Sequence, residues 1–230
     1  MCIRDRYLTG GYDARKHLND LWEYDMEQDS WTQKATFPGP PRSAAVAFSV
    51  NERGYFGTGF DGKEYYKDFW EYDPETNKWT QKTDFPGSAR NDATAFGLSD
   101  KGYIGSGYDG NYLKDFYVYD PQNSKWEQIV SLGGSKRRGA TSFVIDNIAY
   151  VCTGYNNGEY VKDFWKYDPT QQRWIQLRDI ADTSDDSYDN KYNSIVRIYG
   201  VSFVIDGQAY LTCGGTPDLR TNSWRYTPAI

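Results

Sequence analysis

Four arginines stand in one register in this chain: Arg42, Arg90, Arg137 and Arg197 each precede a phenylalanine by six residues, at Phe48, Phe96, Phe143 and Phe203. A guanidinium offers planar, bidentate donors that match a carboxylate, so four converging groups would make a basic spot suited to an acidic ligand. A second set runs beside them. Tyr65, Tyr112 and Tyr160 each lie three residues before an aspartate (Asp68, Asp115, Asp163), and His17 holds that place before Asp20. Rings next to arginine can stack on a sugar or grip a peptide. The candidate ligand-binding residues are therefore Arg42, Arg90, Arg137, Arg197, Tyr65, Tyr112 and Tyr160. A structural alternative stays open for each: the arginines could serve hydrogen bonds between repeating units, and the tyrosines could pack their own loops.

Other chemistry is poorly supplied. His17 is the only histidine, whereas a Ser-His-Asp triad or a multi-histidine zinc site needs more than this segment holds. No catalytic residue, metal or cofactor is expected. The cysteines Cys2, Cys152 and Cys213 do not form a disulfide framework. Cys152 is third in YVCTG and Cys213 fourth in YLTCG, so alternation along a strand points them to opposite faces, and both read as buried free thiols. The stretch from Asp182 to Asn190 gathers Asp182, Asp185, Asp186 and Asp189. Its spacing is not that of a calcium loop, and a solvated acidic loop is the favoured reading over a calcium site.

Composition narrows the partners. A net charge of −6 with pI near 4.9 gives no basic face for nucleic acid, and no apolar stretch is long enough for a membrane span. Hydrophobic content is 38%, but 17% of residues are aromatic, so large rings must carry the burial.

The elements that position these residues follow from a block that returns every 47 or 48 residues. Tyr24-Asp25, Tyr72-Asp73, Tyr119-Asp120 and Tyr167-Asp168 are each followed by a tryptophan seven positions after the tyrosine, at Trp31, Trp79, Trp126 and Trp174. Upstream of each lies an aromatic-led segment ending in glycine: YLTGG, YFGTG, YIGSG and YVCTG, with a fifth copy, YLTCG, at Tyr210. One full repeat predicts four short strands: a (Ala44–Val50), b (Tyr55–Gly59), c (Asp68–Tyr72) and d (Trp79–Lys82), with turn chemistry at Asp206-Gly207 and at Asp73-Pro74. Tandem four-stranded units are blades of an all-β propeller. Tyrosines and tryptophans that recur in register read as packing between blades, because a ligand site needs asymmetry.

The YxxxG ending of strand b, the Tyr-Asp-Pro closing strand c and the tryptophan seven after that tyrosine resemble kelch repeats, from Tyr7 to Pro228. The double glycine of that family is intact at Gly10-Gly11 and, shifted by one, at Gly214-Gly215; elsewhere Thr58, Ser106 and Thr153 take its first place. The resemblance implies a propeller of four-stranded antiparallel blades with strand a innermost, so that the four arginines would ring the mouth of the channel. Kelch propellers close with six or seven blades, and about five are present here, so the chain is expected to be an incomplete propeller. Residues 1–6 read as a non-repeat remnant. The repeats fall at approximately 7–41, 42–89, 90–136, 137–180 and 195–230, with an acidic insert at 181–194.

In such a blade the b–c and d–a connections share one face, with b–c loops expected at Phe60–Lys67, Tyr108–Lys114 and Tyr155–Lys162. That face is where binding residues are expected to concentrate. The leading expectation is a non-catalytic module that binds a protein or glycan ligand, possibly acidic, with no nucleic-acid partner. The alternative is a sugar-active enzyme similar to the kelch-type sialic-acid epimerases or to galactose oxidase, although the copper site of the latter type needs two histidines. The Lys-Asp-Phe-Trp-x-Tyr-Asp-Pro wording resembles bacterial exported kelch proteins, which implies an extracytoplasmic place: periplasmic, cell-surface or secreted.

Overall fold

The computed structural model describes residues 6–180, 195–216 and 223–228. Every extended element in it is an antiparallel strand, and no α-helix occurs among the described residues. The first blade is β1 (Arg6–Thr9), β2 (Leu21–Asp25) and β3 (Ser30–Gln33). The second is β4 (Val46–Val50), β5 (Arg53–Gly57), β6 (Phe69–Asp73) and β7 (Lys78–Gln81). The third is β8 (Thr94–Leu98), β9 (Lys101–Tyr108), β10 (Tyr112–Asp120) and β11 (Lys125–Ile129). The fourth pairs β12 (Thr141–Ile145) with β13 (Ile148–Cys152), then β16 (Phe164–Asp168) and β17 (Arg173–Leu177), and carries a small extra hairpin of β14 (Tyr155–Asn156) and β15 (Glu159–Tyr160). The fifth is β18 (Val201–Ile205), β19 (Gln208–Thr212) and β20 (Ser223–Tyr226). The five sheets are successive blades of a β-propeller, three with four strands and two with three among the described residues.

The expected turn chemistry is present. Asp206 and Gly207 have φ of 50° and 72°, both left-handed as a type I′ hairpin requires. After strand c, Asp73 accepts the backbone N–H of Glu75 at 2.9 Å, an Asx turn that sends the chain into β7.

Strands β4, β8, β12 and β18 lie side by side, which puts the leading strand of the second to fifth blades at the inner edge. Small hydroxyls tie them together: Ser142 Oγ donates to the Ala95 carbonyl at 2.9 Å and Ser202 Oγ to the Ser142 carbonyl at 2.6 Å. The core lies between blades rather than inside any one of them. Phe48, Tyr55 and Phe69 of the second blade pack with Ile104 and Tyr119 of the third; Phe96, Tyr103 and Phe116 of the third pack with Val151 and Tyr167 of the fourth. Three of the four recurrent tryptophans also reach back one blade: Trp79 Nε1 donates to the Ala35 carbonyl at 2.9 Å, Trp126 to Thr83 at 3.0 Å and Trp174 to Val130 at 3.1 Å. This is the nearest-neighbour bonding on which a repeat array depends.

One cysteine expectation is corrected. Cys152 is a buried free thiol, but Cys213 is exposed. Its counterparts Thr58, Ser106 and Thr153 are fully covered. Cys2 and the acidic stretch from Asp182 to Asn190 lie outside the described residues.

Candidate functional site

The four arginines of the repeat do not open onto the channel mouth. Arg42, Arg90, Arg137 and Arg197 are each 0% exposed, which corrects the expectation of a basic ring facing a ligand. Their bonds explain why. Each ends at the corner that leaves strand b, where Thr58, Ser106, Thr153 and Cys213 hold φ of 60°, 51°, 61° and 57°. That left-handed corner turns a carbonyl inward, and Nη1 of each arginine donates to it: Arg42 to Thr58 O at 3.0 Å, Arg90 to Ser106 O at 2.9 Å, Arg137 to Thr153 O at 3.2 Å and Arg197 to Cys213 O at 2.8 Å. Nε donates to the d–a connection, to the carbonyls of Pro40, Ser88, Ser135 and Ile195 at 2.9–3.1 Å.

The aspartate that opens strand c completes the clasp. Asp115 accepts two bonds from Arg90 at 2.7 and 2.8 Å, Asp163 accepts Arg137 Nη2 at 2.7 Å, and Asp68 pairs with Arg42 in the same way. Burial pulls the Arg137 guanidinium below its usual range while Asp163 pulls it back up. A guanidinium held this way is a structural tie whose charge is cancelled in place.

The tyrosines stand differently. Tyr65, Tyr112 and Tyr160 are half-buried on the b–c face, and each pairs with a ring that directly follows the strand-b glycine. Centroids are 4.9 Å apart for Phe60 and Tyr65, 5.2 Å for Tyr108 and Tyr112, and 5.2 Å for Tyr155 and Tyr160. Tyr12 and His17 make the equivalent pair in the first blade at 4.9 Å. Neighbouring pairs also touch, Tyr65 to Tyr108 at 6.4 Å and Tyr112 to Tyr155 at 6.0 Å. The result is one continuous aromatic arc over the second, third and fourth blades. The segment from Tyr108 to Lys114, expected as a loop, is largely extension of β9 and β10 with a register shift between Leu113 and Phe116; that ladder holds the Tyr108–Tyr112 pair rigid.

The chemistry that breaks the repeat lies one and two residues after each buried arginine. The first of these positions reads Ser43, Asn91, Arg138 and Ile198; the second reads Ala44, Asp92, Gly139 and Tyr199. The second set is bonded into a chain round the mouth: Asp92 N donates to Ala44 O at 2.9 Å, Gly139 N to Asp92 O at 2.8 Å and Tyr199 N to Gly139 O at 3.0 Å. Left-handed φ at all four, from 51° to 61°, turns the side chains of Ala44, Asp92 and Tyr199 off the strand ladders.

Arg138 sits over three rings of the arc, its Cζ 5.1 Å from the centroid of Tyr108, 5.8 Å from Tyr155 and 5.9 Å from Tyr112. These are cation–π distances. Its Nε is buried without a hydrogen-bond partner among the described residues, as is Oδ1 of Asn91. Tyr199 reaches across the fourth blade, and its hydroxyl donates to Asp92 Oδ2 at 3.1 Å. Gly139 makes the crossing possible, because a Cβ there would stand 2.9 Å from Tyr199 Cε1.

Burial raises the Asp92 carboxyl above the usual carboxylate range, against the opposing pull of the Tyr199 bond and the Arg138 charge. Burial likewise pushes the Tyr199 phenol up to about 12, with the Asp92 charge adding to it. The sequence pattern singled out Tyr65, Tyr112 and Tyr160 of this face and did not mark Tyr108, Tyr155, Asp92, Arg138 and Tyr199, which the structure brings beside them. The available signal was asymmetry: these last three differ from their counterparts in every other blade.

The KLHDC2/KLHL20/DRC7 Kelch-repeats domain matches residues 2–135, and the Kelch motif matches residues 136–179. The chain belongs to the kelch-repeat family. No curated protein matches it. Kelch propellers commonly serve as protein-interaction modules, and in this kelch propeller the repeat-invariant arginines build the blades while the arc and the residues beside it face outward. Among the described residues no cluster of three or more histidine, cysteine or acidic side chains could hold a metal, and no helix is long and apolar enough to cross a membrane.

Proposed function

We propose that this kelch propeller is a non-catalytic binding module that engages a protein or carbohydrate ligand through the face of its b–c and d–a connections. The observation that carries the reading is the aromatic arc from Phe60 to Tyr160, seated on rigid ladders with Arg138 lodged among its rings. Tyrosine brings large contact area at small entropic cost and a polar rim for orientation. The test is a peptide library and a glycan array probed with the purified chain and with a Tyr112→Ala/Tyr155→Ala double variant. Ligands lost by the double variant support the reading; ligands that bind it as tightly as the parent place the site elsewhere.

A second reading, a sugar-active enzyme of kelch type, is favoured by Asp92, a half-buried carboxyl raised above its usual range and acted on by the Arg138 charge, as a proton-transfer base would be. An NMR anomer-exchange assay on N-acetylneuraminate decides it: no acceleration over buffer removes it. An extracytoplasmic location is part of the same proposal, supported by the wording of the repeat, and cell fractionation with an antibody to the chain tests it.

A further inference from the structure

We infer that the channel mouth of the fourth blade is a subsite for a neutral sugar ring, with Asp92 as hydroxyl acceptor, Arg138 as hydroxyl donor and the aromatic arc beside them as the wall on which the ring lies. This rests on the binding-module reading and replaces its acidic-ligand expectation. The four arginines that would have attracted an acid are fully buried, and Arg42, Arg90 and Arg137 sit on the aspartates that open strand c. The cation that does stand at the mouth, Arg138, spends its face on three tyrosine rings, and its charge acts on Asp92. An incoming carboxylate would meet Asp92 with like charge, and an incoming ammonium would meet Arg138. A hydroxylated ring meets neither cost.

The polar groups fit that ligand one by one. A carboxylate accepts from a hydroxyl and a guanidinium donates to one; the apolar C–H face of a pyranose lies on a phenol ring. Tyr199 already models the first of these bonds, since its own hydroxyl donates to Asp92 Oδ2 at 3.1 Å. Its ring is 53% exposed and spans the mouth above Gly139, so a sugar hydroxyl can take its place by a side-chain rotation without moving a strand. Tyr199 is therefore the occupant a sugar displaces.

The measurement is saturation-transfer NMR and titration calorimetry with methyl β-D-glucopyranoside, methyl β-D-galactopyranoside, methyl α-D-mannopyranoside, N-acetylneuraminate and a peptide library, on the parent, Asp92→Asn, Arg138→Ala and Tyr199→Phe. At least one neutral glycoside should bind, roughly ten- to a hundred-fold more weakly to Asp92→Asn and Arg138→Ala, as expected for loss of a charged hydrogen bond. It should bind more tightly to Tyr199→Phe, in which the competing phenol is gone. Because Tyr199→Phe removes a single atom from a residue that is 53% exposed, that arm is readable even if another variant folds poorly. Preference for N-acetylneuraminate overturns the neutral subsite. Peptide binding that needs Tyr112, with no glycoside bound, overturns the sugar subsite and leaves the binding-module reading standing. Silence from both glycosides and peptides overturns the two together.

Discussion

Arg137 and Arg138 are consecutive residues of one type with opposite fates. Arg137 recurs in register in four blades, is fully buried, and is tied to Thr153, Ser135 and Asp163. Arg138 has no arginine counterpart, lies half-buried over three rings, and keeps Nε without a partner among the described residues. The left-handed corners on either side of the clasp explain the split: one residue is drawn into the blade to satisfy inward carbonyls, and the next is turned out of it. In a repeat protein, then, identity of residue type says less than whether the position repeats.

The contrast can be broken by substitution. Arg137→Ala should be the most damaging, because it leaves Asp163 and two inward carbonyls without their donor; loss of one partner from a buried pair costs about 3–5 kcal/mol, read by chemical denaturation. A variant that melts with the parent would move Arg137 into the binding class. Next comes Gly139→Ala, whose new Cβ would lie 2.4 Å from Ile198 Cγ1 and 2.9 Å from Tyr199 Cε1 at a φ of +61°. Overpacking of this kind costs about 1–3 kcal/mol, and the Tyr199–Asp92 bond should be lost with it, visible as a shifted tyrosine hydroxyl resonance.

Arg138→Ala should cost no more than about 1 kcal/mol, the scale of one cation–π contact, so the losses of stability in Arg138→Ala and Arg137→Ala should differ severalfold. Equal losses would erase the distinction drawn above. The smallest effect is expected from Asp92→Asn. The native pKa of Asp92 is raised above the ordinary 3.8, so its contribution to stability is fully present below 3.8 and is lost as pH rises through the native value. The asparagine variant should therefore be the more stable of the two at neutral pH, and the difference should shrink as the pH falls towards 3.8. Denaturation curves of both proteins across that range check the sign.

The fold was legible because blade packing repeats. Tyr72, Tyr119 and Tyr167 are buried between blades as their register required, and the strand expected at Ala44–Val50 forms at Val46–Val50. The outward tyrosines were legible for the same reason, each being fixed by its distance to the strand-c aspartate. The role of the arginines was not. Register alone cannot tell a side chain that recurs to bind a ligand from one that recurs to satisfy a carbonyl, and the carbonyl in question exists only because Thr58, Ser106 and Thr153 adopt positive φ. Threonine and serine at the place of the family's first glycine hid that corner. Asp92 and Tyr199 were invisible for a different reason: they are 107 residues apart, and no local pattern links them.

The clasp has a consequence for how such a surface can be remodelled. Arg90 binds Ser106 at the left-handed corner of β9, Asp115 of β10 and the connection from the preceding strand d, so the b–c hairpin is pinned at its base whatever its tip contains. Gly110 and Gly158 at two of those tips have no atom within 4 Å of an added Cβ. Lengthening a pinned loop is thermodynamically mild, about 0.6 kcal/mol for each doubling. The hairpin tips are accordingly the places where foreign segments could be grafted, and where natural variation could change what is recognised without touching the scaffold that presents it.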